Sequence, residues 1–373
     1  GAACREIIDH TQNRHSVLIF AAGVQHALHV QRVLGEMGRE CGFVCGDTLP
    51  FERAETLRRF KDGELKFLVN VNVLTTGFDA PNIDCVNGYR TGEVPLGCNH
   101  LTMFVDVQQK VLFWMLCAWE EDFTGYVVDY GTWPEQRRQY FTLRDVRATI
   151  ARAAPAAGME GQIYAGLEKL TNEILPRAYR REDGAEMRID RCLVDANWGQ
   201  STDVVYQFCR QSSFAGILLP SHGKYVGASS VPFSEYKRKK GERVGLHWRV
   251  PTVQGRRQVR HVLIDTNYWK SFVHARLAVA MGDPGSLSLF GRKPGEHQLL
   301  AEHLTAEYRV KTEARGRVVD EWKIRAGGPD NHWLDCLVGC AVAASILGAV
   351  LPGTDARAAS KKGPMRLSAL QKG

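Results

Sequence analysis

The sequence predicts an α/β protein in two unlike parts: a parallel strand–helix block over residues 1–86, then a mixed sheet flanked by helices over 87–351. In the first part, short apolar runs alternate with amphipathic stretches, the rhythm of strands joined through helices into a parallel sheet. From residue 101 the rhythm changes to three apolar runs split by short polar turns, which predicts an antiparallel meander. A third observation raises the question of function. The meander carries Asp106 inside a run of Phe, Val and Leu, and burying a bare carboxylate costs several kcal/mol or more.

Taken in order, 16–22 (SVLIFAA) predicts a buried strand, 25–37 an amphipathic helix, 41–45 a short strand, 50–60 a helix and 66–73 a further strand. In the meander, Val107, Gln108, Gln109 and Lys110 form the first turn, and the third apolar run ends in Asp129. Beyond it, 164–175 and 202–211 read as helices, and 188–195, 215–220 and 261–265 as strands. A helix at 267–279, a hairpin at 307–310 and 318–324, and a long buried helix at 332–350 complete the pattern. Residues 352–373, rich in Gly, Ala, Ser and Lys, read as a disordered tail.

The totals exclude some classes of function. At 373 residues the chain has room for two or three domains, and 44% hydrophobic with 24% charged residues is a soluble globular composition. No apolar stretch reaches membrane-spanning length, and the best candidate, 334–351, carries Asp335. Ten scattered cysteines and the absence of a basic-then-apolar leader point to reduced thiols in a cytoplasm. A net charge of +7 leans only mildly toward a polyanionic partner.

The segments SVLIFAAGVQHA and GDTLPFERAETLRRFKDGELKFLVNVNVLTTGFDAPNID carry a specific likeness. They resemble the C-terminal RecA-like lobe of superfamily 2 helicases, in which the positions of Gly77 and Asp79 line the nucleotide and DNA interface. The likeness stops near residue 86: the paired-arginine motif that should follow is replaced by GYRTGEVP. No G-x-x-x-x-G-K-[ST] phosphate loop occurs in the chain, so ATP hydrolysis by this chain alone is not expected. The block reads as a truncated lobe, a scaffold or a fusion remnant.

Three aspartates stand out by context: Asp106 within a strand, Asp195 closing the strand in VDANWGQSTD, and Asp335 opening the helix in GPDNHWLDCLVGCAVAAS. Singly, each is an ordinary turn, cap or helix-dipole residue. Together, an early-strand acid, a later strand-end acid and a C-terminal-helix acid make the pattern of an RNase H-like nuclease. There, two divalent cations roughly 3.5–4 Å apart activate a water and stabilise the leaving oxygen of a phosphodiester. Hard oxygen ligands suit Mg²⁺ or Mn²⁺.

GEVPLGCNHLTMFVDVQQ, GYVVDYGTWP, VDANWGQSTDVVYQFCRQ, VLIDTNYWKSFVHARL and DNHWLDCLVGCAVAA, in that order, resemble the nuclease domain of lambda-type phage terminase large subunits. The resemblance implies a metal-dependent endonuclease that cuts concatemeric DNA during packaging, leaving a 3′-hydroxyl and a 5′-phosphate. It implies Asp106 as the ligand bridging two Mg²⁺ or Mn²⁺ ions, with Asp195 and Asp335 each completing one site. Asp330, His332 and Asp129 are implied as supporting residues. Implied partners are double-stranded DNA, the terminase small subunit and the portal, in the cytoplasm of a bacterial host. Such subunits carry a packaging ATPase ahead of the nuclease, whereas a helicase-like block stands here. Two other readings stay open: a nucleic-acid-dependent ATPase or helicase fragment, and a non-catalytic DNA-binding fusion product.

Residues 234–261 gather Lys237, Arg238, Lys239, Lys240, Arg243, Arg256 and Arg257. The stretch predicts a twisted hairpin with a charged tip, a surface that would grip backbone phosphates. His332, Cys336 and Cys340 share a helical spacing, but without a matching second pair they read as buried side chains and not a zinc site. Trp198 and Trp333 are candidate walls of the acidic pocket.

Overall fold

In the computed structural model the N-terminal elements are α1 (Ala2–His10), β1 (Val17–Phe20), α2 (Val24–Glu36), β2 (Cys41–Val44), α3 (Pro50–Lys61), β3 (Phe67–Asn70) and β4 (Cys85–Val86). The residues described are 2–351, apart from 13, 22–23, 47, 72–84, 87–88, 198, 200, 253–259, 280–282 and 292–293. The expectations for Gly77, Asp79, Trp198, Arg256, Arg257 and the tail therefore lie outside the described residues. The four strands run parallel in the order β2-β3-β1-β4. β3 is buried throughout, as expected of a strand covered on both faces, and Pro50 sits where a helix start tolerates a missing N–H.

The second part comprises β5 (Glu93–Val94), β6 (His100–Val107), β7 (Leu112–Trp119), β8 (Gly125–Trp133), α4 (Met159–Ile174), β9 (Tyr179–Arg181), β10 (Glu186–Met187) and β11 (Arg191–Asp195). It continues with α5 (Thr202–Gln211), β12 (Leu218–Lys224), β13 (Arg243–Gly245), β14 (Trp248–Val250), β15 (Val262–Asp265), α6 (Thr266–Leu277) and β16 (Leu287–Leu289). α7 (Gln298–Leu304), β17 (Glu307–Ala314), β18 (Arg317–Ile324) and α8 (His332–Leu347) close it. Among the described residues nine strands form one mixed sheet in the order β13-β14-β15-β12-β11-β6-β7-β8-β16. The meander β6–β7–β8 is antiparallel, while β11, β12 and β15 run parallel to β6. β6 is thus the seam between the two halves.

Side-chain alternation along β6 assigns its faces. Leu101, Met103, Val105 and Val107 pack with α4 and α5 on one side. Thr102, Phe104 and Asp106 face α8 on the other. α8 comes close because Gly339 has no side chain where the Phe104 ring lies, and small Cys340, Ala341, Ala343 and Ala344 surround it. Thr102 Oγ1 donates to the Cys340 carbonyl at 3.0 Å and accepts from Trp119 Nε1 at 2.7 Å, tying β6, β7 and α8 together in a buried spot. Thr102→Val keeps the shape but leaves the buried Trp119 indole N–H unsatisfied. It is expected to cost about 1–3 kcal/mol of stability, read from a denaturant midpoint.

Two local outcomes differ from the sequence reading. The third run does not end at Asp129: β8 continues to Trp133 past an irregularity that pairs Leu116 with Asp129 and Cys117 with Val127. The late hairpin is longer than predicted and closes on Arg315-Gly316, both at positive φ (51° and 69°), as a two-residue hairpin turn favours. Among the described residues no helix is long and apolar enough to cross a membrane, and the nine cysteines other than Cys85 are free and buried.

Candidate active site

Parallel pairing of Val105 with Val194 puts the next residues, Asp106 and Asp195, side by side at the C-terminal edge of the sheet. Neighbouring strands lie about 4.8 Å apart, and both side chains emerge on the α8 face. Asp106 is 4% exposed. Gln108 Nε2 donates to both its oxygens at 3.1 Å, and His332 Nδ1 lies 2.7 Å from Oδ2. His332 opens α8 and stacks on Phe113, with ring centroids 4.5 Å apart. Burial pulls the His332 pKa down. The bond to Asp106 and the charges of Asp106, Asp330 and Asp335 outweigh it and leave the imidazole above its ordinary value.

Asp195 is held well above the usual carboxylate range, first by burial and then by the negative charge of Asp106. The backbone N–H of Asn197, 3.2 Å from Oδ1, works the other way. Asp335, one turn into α8, is treated differently. Its Oδ1 lies 3.1 Å from Lys270 Nζ and its Oδ2 accepts from Asn331 Nδ2 at 3.1 Å. Burial raises its pKa, and the Lys270 ammonium opposes that rise. Lys270 also pairs with Glu307, which accepts from Asn331 at 2.7 Å.

The supporting residues separate. Asp330 accepts from the Leu143 backbone N–H at 2.9 Å, and its charge acts on His332. Asp129 does not join them. The β8 irregularity sets it opposite Leu116 on the α4 side of the sheet, where Arg177 and Tyr179 feel its charge. Burial there lifts its pKa to about 6. Trp333 packs edge-on against Phe113, with centroids 5.4 Å apart, and donates to the Gly131 carbonyl.

Among the described residues, no three His, Cys, Asp or Glu side chains form a group able to hold one metal ion. Asp106 and Asp195 adjoin, but Asp335 is turned to Lys270 and Asn331. The oxygen-only pair nonetheless fits a hard divalent cation, because both charged neighbours acting on Asp195, Asp106 and Asp335, are negative.

The basic run is displaced from its expected place. The hairpin tip is Leu246-His247, while Lys237–Lys240 lie in an exposed bend before β13. Buried Glu242 closes that bend by accepting from the Lys239 backbone N–H at 2.9 Å and Tyr236 Oη at 3.1 Å. Arg243 reaches the Ile346 carbonyl near the far end of α8 at 3.3 Å. That carbonyl is eleven residues, about 16 Å of helix, from Asp335.

Sequence reasoning missed Gln108, Lys270, Glu307 and Asn331. A signal existed for Lys270: it lies within the buried face of α6, with Asn267 and Val273 three residues to either side. A lysine there needs a buried partner. Glu307 carried no such mark.

Relatives fall into two groups. The mitochondrial ATP-dependent helicase irc3 of Schizosaccharomyces pombe is 37% identical over 82 residues, 22% of this chain and 14% of that protein. IRC3 of Saccharomyces cerevisiae is 34% identical over 71 residues (19% and 10%), and the ATP-dependent RNA helicase DbpA of Bacillus subtilis 30% over 79 (21% and 16%). The chain spans under a fifth of the length of each. Among solved structures, the SWI2/SNF2 ATPase C-terminal domain of Sulfolobus solfataricus matches at 19% identity and a TM-score of 0.20, over 25% of this chain and 40% of that one. The family model of the helicase conserved C-terminal domain matches residues 2–100. The model of the terminase large subunit gpA endonuclease domain matches residues 79–354, most of the chain. By that match over a mixed sheet carrying paired carboxylates at one edge, the chain belongs to the gpA terminase large subunit family through its endonuclease domain.

Proposed function

We propose that this chain is a divalent-metal-dependent endodeoxyribonuclease that cuts concatemeric phage DNA during genome packaging in the host cytoplasm. The observation that carries the reading is the in-register pair Asp106–Asp195, whose like charges adjoin on the α8 face. An acid on the seam strand, a second on its parallel neighbour and a third on the last helix support the RNase H-like reading. Mg²⁺ or Mn²⁺ bound at this pair would supply charge neutralisation at the phosphate and a water acidic enough to attack it.

The chain's own residues do the positioning. A carboxylate offers about four acceptor sites; among the described residues Asp106 uses three, on the side chains of Gln108 and His332, while Asp195 accepts from the backbone N–H groups of Ala196 and Asn197. Asp106 is therefore the oriented ligand and Asp195 the more open one. His332, stacked on Phe113, holds Asp106 in place, and Asp330 steadies His332 through its charge. Duplex DNA is the substrate, and the small subunit and portal are the family's implied partners. Exposed Arg243 would hold a phosphate about 16 Å of helix from Asp335, roughly five base pairs along, with Lys237, Arg238, Lys239 and Lys240 exposed in the bend before it.

The parallel N-terminal block and its helicase relatives favour a second, lesser reading as part of a nucleic-acid motor, with no ATP turnover by this chain alone. The direct test is nicking of supercoiled plasmid. Nicked and linear products are expected in Mn²⁺ and are expected to vanish with EDTA. No nicking, together with a melting temperature unmoved by Mn²⁺ or Mg²⁺, would overturn the assignment, because ion binding to the native state must stabilise it.

A further inference from the structure

The fold gives the three acidic residues unequal partners. Asp195 adjoins Asp106, and its charged neighbours are negative. Asp335 is neutralised from within. Lys270 Nζ lies 3.1 Å from Oδ1, and the same ammonium binds Glu307 Oε1. Asn331 Nδ2 spans the other side, 2.7 Å from Glu307 Oε1 and 3.1 Å from Asp335 Oδ2. Lys270, Glu307, Asn331 and Asp335 make a closed ring in which both Asp335 oxygens are engaged.

The ring stands on rigid supports. Lys270 has a side chain only 10% exposed and sits on α6 between buried Trp269, Phe272 and Val273. Asn267, one turn earlier, donates to the Val226 carbonyl at 3.2 Å and accepts from the Trp322 backbone N–H at 2.9 Å. The ammonium is held between the Glu307 and Asp335 carboxylates and is largely covered. A divalent ion arriving at Asp335 would meet that fixed positive charge at the same oxygen. Among the described residues no comparable cation guards the Asp106–Asp195 pair on the Asp195 side.

We propose that the Lys270 ammonium replaces one of the two cations of a paired-ion centre. The site then takes a single divalent ion, between Asp106 and Asp195, and Lys270 serves Asp335 as a built-in positive charge. This rests on the metal-dependent reading above and deepens it, since a two-ion centre would place its second ion at Asp335.

The test counts Mn²⁺ ions bound per full chain by electron paramagnetic resonance. It uses a duplex with cleavage-resistant phosphorothioate linkages, with ions bound to the duplex alone subtracted. One ion is expected for the unaltered chain, none of it left in Asp195→Asn, and a doubling to two in Lys270→Gln, which frees Asp335 and Glu307 of their internal cation. Two ions in the unaltered chain overturn the inference while leaving metal dependence standing. One ion in both the unaltered chain and Lys270→Gln also overturns it, because the ammonium would then exclude nothing. No ion in the unaltered chain sinks the metal-dependent reading itself. Should Lys270→Gln fail to fold by circular dichroism, the count on the unaltered chain decides.

Discussion

Asp195→Asn is expected to abolish cleavage and at the same time raise the melting temperature of the metal-free chain. Losing a metal ligand removes several kcal/mol of transition-state stabilisation; at about 4 kcal/mol the rate falls on the order of a thousandfold. The stability effect runs the opposite way. The folded-state pKa of Asp195 lies above its ordinary value of 3.8, through burial first and the Asp106 charge second. Its contribution to folding is therefore full below the unfolded-state pKa and is lost as pH rises through the folded value. Asparagine carries no charge at any pH, so the gain in melting temperature should be largest near neutrality and disappear in acid. Calorimetry in EDTA at pH 7 and at pH 4, beside plasmid nicking in Mn²⁺, reads both effects. Added Mn²⁺ should stabilise the unaltered chain and leave the variant where it was. A variant less stable than the parent at pH 7 would contradict the electrostatic picture, and one that still nicks would contradict the catalytic one.

Gly339→Ala is expected to destabilise the fold strongly, although alanine is the better helix former by about 1 kcal/mol. A methyl carbon there would fall 1.7 Å from Phe104 Cδ2 and 2.2 Å from Cε2, far inside contact distance. Phe104 is 5% exposed and lies on β6 two residues before Asp106, so it has little room to retreat. Overpacking of this kind costs about 1–3 kcal/mol and occasionally more. A net loss of about 2 kcal/mol, the top of that range less the helix-propensity gain, would lower the melting temperature of a domain this size by roughly 4–8 °C. It would also lift the α8 N-terminus, and with it His332 and Asp335, away from the sheet. Activity should fall further than stability alone accounts for, measured below the melting transition. A variant with unchanged melting temperature would show that α8 is free to shift.

Much of the fold was legible because β6, β7 and the parallel strands carry long apolar runs, and because the polar turn at 108–110 separates the first two cleanly. Asp106 was conspicuous for the same reason: nothing else in its strand is charged. Asp129 looked equivalent, and only the bulge in β8, which local composition does not announce, turns it to the other face. The ring around Asp335 was illegible because its members are set by tertiary packing. Lys270 and Glu307 are 37 residues apart on separate elements, and no periodicity links them. The hairpin tip was not legible because the bend before β13 is shaped by the buried hydrogen bonds of Glu242, a residue type that gives no sign of burial in a charged run.

The large sheet ends on each side in a strand of only three residues, Arg243–Gly245 and Leu287–Leu289. So short a border exposes too few unpaired backbone groups for another polypeptide to extend it by strand addition. Among the described residues the longer unpaired edges lie on the separate hairpin, whose strands Glu307–Ala314 and Arg317–Ile324 run eight residues each, so a polypeptide that adds as a strand would find its template there and not on the large sheet.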